Sequence, residues 1–201
     1  MSKLLKTLVI DSATPYLYIS LYEGNDELDA YYQEGHNDHS VKLMSELERM
    51  LTRNNCSMKD INKVVIGIGP GSYTGLRVGV VVAKMFGWTL GIDVYQVSSL
   101  ALLASSVDDG LVIPAVDARR GNAFLGLYEV KNKELLQIDD DQLINLNEFQ
   151  ELHPKANTVF IGKPNLKYLL ESSLLTKVED IHQLNPNYLR LTEAEKNVQN
   201  K

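Results

Sequence analysis

Two stretches of this 201-residue chain repeat one another at an offset of 106 residues. Val9-Ile10-Asp11, followed by Tyr16 to Glu23, lies without a gap over Ala115-Val116-Asp117, followed by Asn122 to Glu129. Asp11 and Asp117, Leu21 and Leu127, Tyr22 and Tyr128, and Glu23 and Glu129 are identical pairs. Each copy reads as an apolar strand ending in aspartate, a short turn carrying Pro15 or Gly121, and a second strand. A third strand-like stretch and then a helical pattern follow both copies, as a repeated unit requires. Such a duplication confines the chain to folds with two similar halves.

The residue periodicities predict strands near 6–12, 16–23 and 27–33, then a helix near 39–53. A strand at 63–68, a helix at 75–90, a strand at 94–97 and a helix at 98–106 complete the first half. The second half predicts strands near 111–117, 122–130 and 134–138, a helix near 146–153, a strand at 158–161 and a helix at 165–172. Three antiparallel strands followed by alternating helices and strands is the ribonuclease-H-like order. Two such units in tandem give an actin-like α/β architecture, with mixed sheets flanked by helices. The expected division is a lobe over 1–107, a smaller lobe of similar topology over 108–190, and a polar tail at 191–201. The acidic run Asp139-Asp140-Asp141 reads as a solvated turn.

Composition narrows the function classes. A net charge of −6 argues against a broad basic nucleic-acid surface on this chain alone. A single cysteine, Cys56, rules out an internal disulfide and fits a reducing compartment. Met1-Ser2-Lys3-Leu4-Leu5-Lys6 runs into a strand without a signal peptide's apolar stretch. No uncharged apolar run approaches the ~20 residues of a membrane span. The expectation is a soluble, cytoplasmic protein with no membrane partner.

Val64-Val65-Ile66 leads into Gly67-Ile68-Gly69-Pro70-Gly71-Ser72-Tyr73-Thr74-Gly75, and the apolar stretch Leu76 to Trp88 is long enough for a helix. The glycines and Pro70 mark a sharp strand-to-helix turn, and Ser72 and Thr74 are both natural N-caps. Backbone N–H groups at such a turn can cradle an anion. The spacing favours a structural turn instead: Leu76 and Arg77 follow Gly75 where a Walker-type loop has lysine, and Thr74 replaces the third Rossmann glycine. Gly75, Gly79, Ala83, Gly87 and Gly91 recur at every fourth position, a row that drifts only ~40° per step around a helix. Val78, Val80, Val81, Val82, Met85, Phe86 and Trp88 surround the row, with Arg77 and Lys84 the only charges. A helix so apolar is buried on more than one side. Two readings stand: a central helix of its own core, or one face on the sheet and another on a partner.

The 39–53 helix offers Leu43, Met44, Leu47, Met50 and Leu51 along a narrow apolar stripe, flanked by Lys42, Glu46, Glu48 and Arg49. One sheet face cannot cover both helices, so apolar surface is expected to remain. A second pair of helices would bury it as a four-helix bundle. The candidate partner-binding residues are therefore Leu43, Met44, Leu47, Met50 and Leu51 with Gly75, Val78, Gly79, Val82, Ala83, Met85 and Phe86. For the chain alone, a homodimer through the same patch is expected.

Other residues invite chemistry. His36 and His39 have no Glu or Cys beside them in a ligand pattern, and Asp38 reads as a helix cap, so no metal is assigned. Asp11 and Asp117 would face one another across the cleft of a two-lobed clamp, where actin-like ATPases hold Mg²⁺ and nucleotide. The first turn, however, is Ser12-Ala13-Thr14-Pro15, without the glycine that phosphate approach needs. Ile161-Gly162-Lys163-Pro164 likewise has one glycine where an adenosine site has two. Neither ATP nor metal is expected on this chain, and an actin-like ATPase or kinase-type enzyme stays as the alternative. Arg119 and Arg120, beside Asp117, fit an anion, a partner's carboxylate or a solvated turn. The absence of His-Glu-x-x-His, and of an evident base for Cys56, argues against a protease.

The run Gly69-Pro70-Gly71-Ser72-Tyr73-Thr74-Gly75-Leu76-Arg77-Val78-Gly79 resembles the signature of the TsaB (YeaZ) family. Asp11-Ser12-Ala13-Thr14 resembles its amino-terminal motif and Asp117-Ala118-Arg119-Arg120 its second-lobe motif. Tyr188-Leu189-Arg190 and Glu193-Ala194-Glu195 resemble its tail. The resemblance implies an actin-like tandem fold and a role in making threonylcarbamoyladenosine beside the anticodon of tRNAs reading codons that begin with adenine. It implies a non-catalytic subunit, with no catalytic residue here. TsaD would be the catalytic partner across the two helices and TsaE an ATPase joining them, so ATP and metal would sit on the partners and tRNA would be met only through the complex. TsaD-type proteins hold metal through His-x-x-x-His, whereas His36-x-x-His39 is one residue closer, so that site does not carry over.

Overall fold

The computed structural model describes residues 4–35, 38–170 and 172–189. His36, Arg190, the motif Glu193-Ala194-Glu195 and the 191–201 tail lie outside these residues. The first sheet contains β1 (Lys6–Asp11), β2 (Tyr16–Glu23), β3 (Asp26–Glu34), β4 (Lys63–Gly67) and β5 (Asp93–Val97). The second contains β6 (Gly110–Asp117), β7 (Asn122–Lys131), β8 (Glu134–Asn145) and β9 (Asn157–Val159). A short β10 (Thr176–Lys177) returns to the first sheet, whose order is β10-β5-β4-β1-β2-β3; the second runs β8-β7-β6-β9.

The two sheets share a wiring. In each, the first strand pairs antiparallel with the second, the second antiparallel with the third, and the first parallel with the fourth. A helix makes the crossover in both, α1 (His39–Arg53) in the first and α4 (Leu146–Leu152) in the second. α2 (Tyr73–Leu90) and α3 (Ser99–Ala104) flank β5. The protein is thus α/β, with mixed sheets flanked by helices.

Alternation along the strands builds the layers. Leu8, Ile10, Leu17, Ile19, Leu21, Val64 and Ile66 point to one face and pack with α1 and α2. Val9, Tyr18, Tyr22 and Val65 point to the other, against α3 and the second sheet. All six residues of α3 are buried between the two sheets. Ile113, Ala115, Leu125 and Leu127 face away from that junction and pack on Phe149 of α4. The order of layers is α1 and α2, first sheet, α3, second sheet, α4.

Four expectations need correction. The repeat is not gapless in three dimensions: Asp11 pairs with Tyr18 but Asp117 with Ala123, because the second turn is one residue shorter. The acidic run is strand, not turn, since β8 continues to Asn145 past register shifts opposite Leu125 to Tyr128. The 165–172 helix is only a 3₁₀ turn, Leu166–Tyr168. Tertiary bonds from Asn165 N to Ser105 Oγ (2.9 Å) and from Leu166 N to Tyr22 Oη (3.3 Å) fix that segment instead. Finally, residues 176–189 do not stay with the second sheet. β10 pairs with β5, the 3₁₀ turn Ile181–Gln183 lies on α2, and Asn187 N donates to Ile68 O at 2.7 Å.

Candidate functional site

The glycine-rich loop and the first hairpin turn are built around each other. Ser72 N donates to Ala13 O at 2.7 Å, and Ser12 Oγ donates to Gly75 O at 2.8 Å. A methyl group at Gly71 would overlap the Ala13 carbonyl, and one at Gly75 the Ser12 carbonyl. These two glycines bring backbone against backbone, which no larger residue permits. Ser72 caps α2 by accepting from Gly75 N, at 3.3 Å. Thr74, offered by the sequence as a second cap, lies within the helix. Beside this junction a cleft of about 510 Å³ opens, lined by Thr14, His39, Ser40, Ser72, Thr74 and Asp117 among others.

The paired aspartates occupy matching places with different surroundings. Asp11 Oδ1 accepts from Ala13 N at 2.9 Å, and Asp117 Oδ1 accepts from Arg119 N at 2.8 Å, so each closes the turn two residues on. Asp117 is exposed on the cleft. Asp11 is buried, and Ser99 Oγ donates to it at 3.0 Å. Burial pushes its carboxyl up to about 6, against the hydrogen bonds from Ala13 and Ser99. The two carboxylates therefore do not face one another across open space, as the sequence suggests. Two backbone donors of the first turn are engaged: Ala13 N on Asp11, and Tyr16 N on Thr14 Oγ1. Among the described residues no group of three or more His, Cys, Asp or Glu is placed to hold a metal. His39 Nδ1 lies 3.4 Å from Ser12 O, and its Nε2 is buried beside Gly35 without a hydrogen-bond partner.

The helical face also differs from the sequence expectation. Gly75, Gly79, Ala83, Val82 and Phe86 of α2 are buried, as are Leu43, Leu47, Met50 and Leu51 of α1. Most of them belong to the core of their own lobe, and Leu47 and Leu51 also line an open groove beside Val41 and Met44. The small-residue row faces the sheet, because a Cβ at Gly79 would lie 2.7 Å from Ser12 Oγ and 3.1 Å from Ile66 Cδ1. Met44 and Met85 are exposed and Val78 is half-buried, so these three of the candidate residues remain accessible. Val41, Val81 and Trp88 join them at 76%, 63% and 72% exposure. Bare apolar side chains therefore stand on both helices.

The sequence missed what borders this face. Tyr188 Oη accepts from Arg77 Nε at 3.1 Å, and its ring packs on Tyr73 at 4.9 Å between centroids. Arg77 lies over the Tyr73 ring, 4.1 Å from its centroid, and also donates to Tyr73 Oη. Lys84 Nζ donates to His182 O at 2.9 Å, and Trp88 meets the His182 ring edge-on. The returning segment thus frames α2, a contact across about a hundred residues that no local pattern signals. Asp141 was missed similarly. It leaves the acidic run to accept from Ser98 Oγ and from Tyr128 Oη (2.6 Å), and burial raises its carboxyl above the ordinary range.

Two sheets of the same wiring, stacked about a shared buried helix, define a protein of the actin-like, TsaD-type class. The family model described as TsaD: tRNA N6-adenosine threonylcarbamoyltransferase matches residues 33–197. A Bacillus subtilis (strain 168) tRNA threonylcarbamoyladenosine biosynthesis protein TsaB is 35% identical over 220 residues, covering 94% of this chain and 95% of that one. A Buchnera aphidicola subsp. Schizaphis graminum TsaB is 25% identical over 188 residues, covering 90% and 88%. The fold matches the structure of YeaZ from Pseudomonas aeruginosa with a TM-score of 0.77 at 18% identity, covering 92% of this chain and all of that one. The chain belongs to the TsaB (YeaZ) family. Among the described residues no helix is long and apolar enough to cross a membrane.

Proposed function

We propose that this chain is a non-catalytic subunit in the biosynthesis of threonylcarbamoyladenosine in tRNA, the process for which its B. subtilis relative is named. On this reading it docks a TsaD-type transferase through the outward faces of α1 and α2, and a TsaE-type ATPase joins the pair. The modified adenosine is the one beside the anticodon of tRNAs reading codons that begin with adenine, and tRNA is met through the complex. Alone, the chain pairs with a second copy through the same helices. The observation that carries the reading is the bare apolar face of Val41, Met44, Val81, Met85 and Trp88, which its own lobe leaves uncovered. A two-helix face of this kind is buried by another helix pair, as in a four-helix bundle.

An actin-like ATPase working in its own cleft is the competing reading. The closure of the first turn on its own side chains weighs against it, since a phosphate would find no free N–H at Ala13 or Tyr16. ATP and metal are accordingly assigned to the partners. The test combines Val81→Asp with Met85→Asp and measures association with the transferase from the same genome. We expect the variant to keep its fold and lose affinity at least a hundredfold, with loss of the modified nucleoside. Unchanged association would place the interface elsewhere. Micromolar ATP binding by the isolated chain, abolished by Asp117→Ala, would favour the ATPase.

A further inference from the structure

The tip of the β6–β7 hairpin presents two arginines that the fold itself does not use. Arg119 and Arg120 are consecutive, exposed, and both in the left-handed region, at φ 71° and 57°, followed by Gly121 at φ 77°. Left-handed backbone disfavours a side chain such as arginine, and asparagine or glycine suits it far better. The β7–β8 tip holds Asn132 and Lys133 in the same region, at φ 53° and 66°, so the tight hairpin sets this conformation and aims the two side chains outward together.

The tip is also held firmly. Ala118 N donates to Asn122 O at 2.9 Å, Asn122 N to Arg119 O at 3.1 Å, and Leu146 N to Gly121 O at 3.1 Å. The other described arginines have partners within the chain: Arg49 pairs with Glu46, Arg53 with Asp29, and Arg77 with Tyr73 and Tyr188. Among the described residues neither guanidinium of Arg119 or Arg120 has an ion-pair or hydrogen-bond partner, although the chain is acidic overall. Asp117, the adjacent carboxylate, is turned onto the backbone N–H of Arg119 instead. Asp117 lines the cleft together with the first-turn residues His39 and Ser40 of α1 and Thr74 of α2, whose helix ends carry partial positive charge.

We propose that Arg119 and Arg120 contact the phosphodiester backbone of RNA. The inference rests on the tRNA reading above and adds to it a surface of this chain that touches the substrate. A protein partner is the less fitting occupant, because a docking hot spot needs apolar neighbours. Here the residues that follow in the turn, Gly121 and Asn122, are exposed and offer none, while the bare apolar face belongs to a different layer. Two exposed, unpaired guanidinium groups carried on a hydrogen-bonded turn suit phosphate oxygens.

The experiment uses the complex with the transferase and its cognate tRNA. Arg119→Asn with Arg120→Gly removes both charges and installs residues suited to the backbone, so the variant is expected to melt no lower than the parent. We expect tRNA affinity to fall about tenfold at 0.1 M salt, and the slope of log affinity against log salt to shallow by about 1 to 2. Association with the transferase should not change. Lysine at both positions should restore most of the affinity. Equal affinity and slope in parent and variant would overturn the inference while leaving the tRNA reading intact. Loss of transferase association instead would make the pair a protein contact and overturn it too. A parent complex that does not bind tRNA would overturn both.

Discussion

Asp11 and Asp117 end equivalent strands and close equivalent turns, yet only one of them is in water. Asp117 keeps an exposed carboxylate, whereas Asp11 sits under Ser99 with its carboxyl raised to about 6. A raised acid has a definite sign in the linkage. Below the ordinary value of 3.8 the group is protonated folded and unfolded alike; as pH rises from there through about 6 the unfolded chain ionises first, so stability falls. Asp11→Asn keeps an oxygen for Ala13 N–H and removes the titration. Urea unfolding of parent and variant across pH 4 to 7 should show the parent losing up to about 3 kcal/mol relative to the variant. Parallel curves would mean that Asp11 ionises in the fold at no cost. The pairing of these aspartates was legible in the sequence because the repeat aligns them. Their separate fates were not, because nothing near residue 11 announces that Ser99 will arrive beneath it.

At the scale of the element, α2 shows why a strong pattern can name a face without saying what lies against it. The row of glycines and alanine was legible at every fourth residue. An apolar helix with only two charges, however, carries little polarity to orient it, so the row fitted the sheet and a partner equally well. The deciding residues are Ser12 and Ile66, distant in sequence, which stand within 2.7 Å and 3.1 Å of where a Cβ at Gly79 would fall. Gly79→Ala should therefore cost about 1 to 3 kcal/mol through overpacking, and Gly79→Leu should prevent folding. Val81→Asp, two residues further along but facing out, should shift stability by no more than about 0.5 kcal/mol. Thermal melts of the three variants check this ordering, and a tolerant Gly79→Leu would return the row to the partner side. The exposed stripe itself was half legible: Met44, Val78 and Met85 were among the candidates, but Val41, Val81 and Trp88 were not.

Across the whole molecule, the two lobes are fastened by a segment that local pattern described poorly. Tyr32 Oη accepts from Gly162 N at 3.1 Å, Tyr18 Oη donates to Pro164 O at 3.3 Å, and Tyr22 Oη accepts from Leu166 N at 3.3 Å. Lys163 and Lys167 add ion pairs to Glu27 and Asp26. The 162–167 stretch holds the position of an adenosine site in an actin-like second lobe, and its backbone instead rivets the second lobe to the first. Phenylalanine at positions 18, 22 and 32 together should cost about 1 kcal/mol for each bond lost. Amide exchange over 162–166 should rise while exchange in α3 changes little. Unaltered exchange there would mean that the apolar layer around α3 holds the lobes unaided. The gross architecture was legible because the repeated hairpin and the helix periods recur. The crossing of residues 176–189 back to the first sheet was not, since two strand residues and a 3₁₀ turn leave almost no local signal.

That crossing has a consequence for how the chain is made. Until Thr176 and Lys177 dock, β5 ends the first sheet with a row of unpaired backbone groups, and Ile181 is missing from its place against Gly87 and Val94. A ribosome exposes residues 4–107 long before it delivers that closing piece. The earliest-synthesised lobe must therefore wait, with a sticky edge, for nearly the last residues of the described chain. Vectorial synthesis and final stability are out of step here, and the nascent chain is most prone to aggregation in the interval between them.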